Sequence, residues 1–93
     1  MNTNEFENLP PEIQCIPKRL RDAVIAHVRH VIPTTTFERF TVRQLYGQFQ
    51  WSLLSKAETL DAGVYVAYLV AHGELPLVDV GKDSRNHKIY RRK

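Results

Sequence analysis

The sequence predicts an α+β domain in which three helices lead into a C-terminal two-stranded β-hairpin. Three observations carry this reading. Apolar residues recur at helical spacing over two long stretches, Leu20 to Val31 and Leu60 to Ala71. Two capping-box sequences stand where helices should begin, at Thr41–Gln44 and Ser55–Glu58. After Gly73 the period becomes strand-like on either side of a polar turn. The chain's 93 residues, 43% of them hydrophobic, suffice for one domain.

Residues 1–16 read as a partly flexible leader before a folded domain at 17–93. Leu9-Pro10-Pro11 breaks any regular element, and Ile13 and Ile16 are its means of packing on the body. The first helix begins near Pro17, a residue suited to a first turn. Leu20, Val24, Val28 and Val31 form its apolar stripe, with Arg19, Asp22 and Arg29 off it, and Pro33 ends it. Residues 34–40 are β-branched and aromatic, which favours a short extended segment.

The second helix opens at Thr41, buries Val42, Leu45, Tyr46 and Phe49, and is weakened by Gly47. Trp51 to Leu54 connects it to the third helix, which runs from Ser55 to His72 with Gly73 as its left-handed terminator. No charged residue occurs from Gly63 to Ala71. Leu60, Val64, Ala67 and Ala71 make one apolar stripe, and Ala62, Val66 and Leu69 another on the opposite side. A helix apolar on two sides is either central to the fold or turned toward a partner. Leu75–Gly81 and His87–Arg91 then read as strands around the turn Lys82–Asn86, with Val78, Val80 and Ile89 on the inner face.

Charge is distributed unevenly. Residues 1–81 hold seven basic and nine acidic side chains, whereas residues 82–93 hold six basic and only Asp83 against them. A local field of this kind attracts a polyanion, an anionic membrane surface or an acidic protein patch. A solvated rim that aids solubility is the plainer alternative. The sequence shows neither a membrane-spanning apolar run nor a signal-peptide pattern, and the single Cys15 forbids an internal disulfide. A soluble, cytoplasmic protein is expected.

Helix, short strand, helix, helix, strand, turn, strand is the order of the winged helix-turn-helix superfamily. From about Pro17 to Arg92 the chain resembles it in three places: the Thr41–Tyr46 second helix, the Ser55–His72 third helix ending at Gly73, and the Leu75–Tyr90 hairpin. The end of the third helix and the hairpin also look like small proteins of phages and mobile elements. The resemblance implies binding to double-stranded DNA, with the third helix in the major groove and the hairpin on the backbone or minor groove. A small transcriptional regulator is the role it implies.

The candidate nucleic-acid contacts are Arg43, Lys56 and Thr59, then Lys82, Arg85, Asn86, Lys88, Arg91 and Arg92 at the hairpin. Long cationic side chains there reach phosphates, and Ser84 and Asn86 add neutral donors. The family's spacing back from Gly73 implies that Ala62, Val66 and Leu69 face the core and that Leu60, Gly63, Val64 and Ala67 lie nearer the exposed side. That surface lacks the Arg, Lys, Asn or Gln that read base edges, and Glu58 and Asp61 would repel phosphates. A protein-contact or homodimer module using the apolar third helix is therefore the alternative function.

Other chemistry finds little material. His27 and His30 are three apart, but Cys15, His72 and His87 are scattered and no metal-binding spacing exists, so no metal site is expected. Cys15, among Ile13, Ile16 and Pro17, reads as a small apolar residue rather than a nucleophile. No GxSxG, no Gly-rich phosphate loop and no carboxylate pair among Glu74, Asp79 and Asp83 is present. The chain is expected to be no enzyme, with no cofactor and no small-molecule substrate. Phe37, Phe40, Tyr46, Phe49, Trp51, Tyr65 and Tyr68 are expected mostly in the core, leaving Tyr90 as the one candidate for stacking on a base.

Overall fold

A computed structural model describes residues 9–93. Its helices are α1 (Pro11–Gln14), α2 (Lys18–Thr34), α3 (Val42–Tyr46), α4 (Gln48–Ser52) and α5 (Lys56–Ala71). Its strands are β1 (Arg39–Phe40), β2 (Leu77–Lys82) and β3 (Lys88–Arg92). The α+β class is as the sequence indicates. The three helices are corrected to five among the described residues, and the two-stranded hairpin to a three-stranded sheet, which β1 joins from within the extended segment expected at 34–40.

The leader packs through the residues expected but carries a short helix where a break in regular structure is expected. Residues 1–8 lie outside the described residues, but 9–16 are anchored. Pro11 stands at the first position of α1, where its missing N–H costs nothing, and Ile13 and Ile16 are both buried. Cys15, expected to pack as an apolar residue, is instead exposed, its thiol 3.3 Å from the Glu12 carbonyl.

α2 is the spine of the core. Leu20, Val24, Val28 and Ile32 are buried along it, so a strict i, i+4 line replaces Val31 by its neighbour Ile32. The helix runs one residue beyond Pro33. The Thr34 hydroxyl donates to the His30 and Val31 carbonyls in that last turn, where proline supplies no N–H.

Gly47 does more than weaken the second helix. Its φ of +103° ends α3 and redirects the chain into α4, which occupies the end of the expected second helix and the start of its connection. Phe49 consequently leaves the buried face of α3 and is 71% exposed. Leu45 and Tyr46 remain buried, and Tyr46 packs its ring between His27 and Trp51 at 4.6 and 5.8 Å.

α5 ends in a Schellman arrangement. The Glu74 N–H reaches the Leu69 carbonyl at 2.8 Å, the Gly73 N–H reaches that of Val70 at 3.2 Å, and Gly73 has φ +72°. Ala62, Tyr65, Val66 and Leu69 are its buried side. No helix is long and apolar enough to cross a membrane among the described residues.

The sheet is antiparallel with order β1-β3-β2. β1 joins it by pairing Arg39 with Arg91 and Phe40 with Tyr90. A bulge between Asp79 and Gly81, where Gly81 has φ +110°, shifts the alternation of β2. The inner face is therefore Leu77, Phe40 and Tyr90, all buried, and not the expected Val78, Val80 and Ile89. Burial of Tyr90 also removes it as a base-stacking candidate. Its hydroxyl is enclosed without a hydrogen-bond partner, and burial pushes its pKa up to about 12.

Candidate functional site

Three elements converge on an open cleft of about 870 Å³. Its floor is the outward side of α5, where Leu60, Gly63, Val64 and Ala67 line it. Leu60 is 63% exposed and Val64 45%, so the two-sided apolarity of this helix divides as expected, one side to the core and one to solvent. The start of α3 and the residues of α4 make one wall. The hairpin tip, Asp83 to Lys88, makes the other.

The α3 wall is held by its cap. Thr41 Oγ1 accepts the Gln44 N–H at 3.3 Å while Gln44 Oε1 accepts the Thr41 N–H at 2.9 Å. This fixes the first turn and sets Arg43 on the cleft rim. Gln48 and Trp51 extend the wall. Sequence reasoning missed both, because only the backbone turn at Gly47 brings α4 to the cleft.

The floor is held in the same way. Ser55 Oγ accepts the Glu58 N–H at 3.1 Å and Glu58 Oε1 accepts the Ser55 N–H at 2.8 Å. The backbone N–H of Ser55 is the main reason the Glu58 carboxyl sits below its ordinary range, and the Arg19 guanidinium at 3.3 Å adds to it. Glu58 is thus committed to the helix end. Thr59, one residue on, lines the cleft.

Asp83 builds the hairpin tip. One carboxylate oxygen accepts the N–H groups of Arg85 and His87, both at 2.9 Å, and the other lies 3.8 Å from His87 Nδ1. The Asn86 N–H closes the turn onto the Asp83 carbonyl at 3.0 Å, with Asn86 in the left-handed region at φ +67°. These backbone donors, His87 first, lower the pKa of Asp83. The one carboxylate on the cleft is accordingly turned into its own loop.

The sequence-predicted residues separate into three groups. Arg43, Thr59, Arg85, Asn86 and Lys88 meet around the cleft. Lys56, Lys82 and Arg91 are exposed but do not line it. Arg92 is drawn inward: its guanidinium donates to the carbonyls of Phe37, Ile32 and Thr35 at 2.7, 2.7 and 2.6 Å and lies 5.2 Å over the Phe40 ring. That engagement turns Arg92 away from the external contact expected of it. Lys88, though on the cleft, is paired with Asp79 across the hairpin. Its ammonium, with the Gly81 N–H, lowers the Asp79 pKa. By contrast, the Arg43 and Arg85 guanidiniums have no hydrogen bond or ion pair among the described residues. No group of three or more His, Cys, Asp or Glu is placed to hold a metal ion among the described residues.

This is an α+β domain whose hairpin and terminal helix frame a cation-rimmed apolar cleft. The chain belongs to the DUF1413 family, a domain of unknown function, whose profile matches residues 33–92. That span takes in β1 through β3 and with them every wall of the cleft. No curated protein and no solved structure matches the chain.

Proposed function

We propose that this chain is a winged helix-turn-helix module that binds double-stranded DNA, with the hairpin as its wing. One observation carries the reading. Arg43 from α3 and Arg85 from the hairpin tip, neither guanidinium hydrogen-bonded within the described residues, stand on opposite walls of one cleft beside the exposed side of α5. The sheet order β1-β3-β2, which ties the hairpin to the segment before α3, supports the fold reading. Exposed Lys56, Lys82 and Arg91 extend the positive field around the cleft.

The duplex is held by phosphates rather than read by bases. Leu60, Val64 and Ala67 have no donor or acceptor to offer a base edge, so binding tolerates many sequences. Titrating a labelled duplex at several salt concentrations tests this. Log affinity should fall linearly with log salt, and Arg43→Ala with Arg85→Ala should flatten the slope by about 2 units, roughly 0.9 per phosphate contact. Absence of binding at low salt, or an unchanged slope in the double variant, rejects the reading.

A further inference from the structure

The cleft floor is left unexplained by a duplex. Phosphate contacts use its rims, yet between them lies a solvent-facing apolar strip of Leu60, Gly63, Val64 and Ala67 on an otherwise well-capped helix. Such a strip, rimmed by polar groups, is the kind of surface that meets another protein. A Cβ at Gly63 would meet nothing within 4 Å, so the middle of the strip is open to a close-lying partner backbone.

The charges around the strip say what kind of partner fits. The Arg43 and Arg85 guanidiniums stand on its two sides without a hydrogen bond among the described residues. Lys88 is paired with Asp79, and one Asp83 carboxylate oxygen accepts two N–H groups of its own turn. The cleft therefore offers an apolar lane between two guanidiniums without hydrogen-bond partners, and the carboxylate that lines it, Asp83, is turned toward its own loop. The complement is a helix with apolar side chains along one face and carboxylates flanking them.

We infer that the cleft docks an acidic amphipathic helix of a protein partner, its apolar face on Leu60 and Val64 and its carboxylates on Arg43 and Arg85. Such a helix takes the same two arginines that the proposed duplex contact uses. It therefore competes with DNA and switches the module off. The docking itself needs only the cleft, whereas the competition rests on the duplex reading.

Fluorescence anisotropy with three synthetic peptides tests it: one with Leu and Glu at helical spacing, the same composition scrambled, and the spaced design with Lys in place of Glu. The intact chain should bind the spaced Leu/Glu peptide at least about tenfold more tightly than either control. Leu60→Ser with Val64→Ser should lose about tenfold of that affinity while keeping the duplex salt slope, since no cation is altered. Both residues are exposed, so the variant folds, which a circular dichroism melt verifies. Peptide binding that displaces a labelled duplex supports the full proposal. Peptide binding in a chain that shows no duplex affinity supports the docking and rejects the DNA reading alone. Equal affinity for all three peptides, or undiminished Leu/Glu binding by the serine variant, overturns the docking.

Discussion

At the base of the hairpin, Arg92 folds its guanidinium onto three carbonyls around the end of α2. At the tip, Arg85 is hydrogen-bonded only through its backbone N–H, which Asp83 accepts, and its guanidinium makes no hydrogen bond among the described residues. The two arginines are seven positions apart in one basic segment and serve opposite ends. One closes the fold, tying the last strand to the Ile32 carbonyl in the last turn of α2 and to those of Thr35 and Phe37 just beyond it. The other is available for an external anion. Local charge density therefore overstates the available cations, because Arg92 and Lys88 are already occupied within the molecule.

The largest effect belongs to the base. Arg92→Ala should destabilise the domain by about 2–4 kcal/mol, since it strips charge-assisted hydrogen bonds from three carbonyls. In a chain of this size that lowers Tm by on the order of 10–20 °C. Arg92→Lys should recover little, because a point charge cannot replace a planar fork. Arg85→Ala should leave stability within about 0.5 kcal/mol. Urea unfolding of the three variants decides the matter, and equal losses at the two arginines would erase the distinction between base and tip.

Next comes the bulge that separates the two ends. At φ +110° a side chain at position 81 is strained although the space beside it is open. Gly81→Ala should cost about 1–3 kcal/mol. Amide exchange should quicken from Lys82 to Lys88 while the pairing of Leu77 with Arg92 stays protected. Uniform loosening of the whole hairpin would mean that base and tip form a single cooperative unit.

The smallest effects are read in pH. Tyr90 has a folded pKa of about 12 against an ordinary value of 10.0, so the neutral phenol is favoured by folding. Its contribution is complete below pH 10 and is lost as pH rises through the folded value. Tyr90→Phe should remove that alkaline decline and, by deleting a buried hydroxyl without a partner, leave neutral-pH stability equal or higher. Asp79 behaves in the opposite sense. Lys88 and the Gly81 N–H lower its pKa, so its contribution is present above the ordinary carboxylate range and fades as pH falls through the lowered value. Asp79→Asn should flatten the acid limb of a stability profile.

What could be read in advance was local. Both capping boxes and the left-handed Gly73 lie within a few residues of the groups they satisfy, so sequence alone exposes them. The two sides of α5 were also legible, because a long helix keeps its phase. The sheet was not. Leu77, Val78 and Val80 on one strand and Ile89 and Tyr90 on the other put apolar residues on both phases of the alternation. The phase is chosen by the pairing of Tyr90 with Phe40, fifty residues away in the chain, and by the bulge. The role of Arg92 was hidden for the same reason, since its three acceptors lie between residues 32 and 37. The α4 part of the cleft wall, Gln48 and Trp51, was equally invisible, because α4 reaches it only through the turn at Gly47.

The strand order has a consequence for how the molecule is made. β3 follows β1 and β2 in the chain yet lies between them, so neither earlier strand has a neighbour to bind until Lys88–Arg92 has been synthesised. Helices α2 and α5 can form during translation, but the sheet and the arginine that locks it close together, late, over a long loop. A ribosome stalled a few codons short of Tyr90 would hold a nascent chain with its helices formed and Phe40 still uncovered.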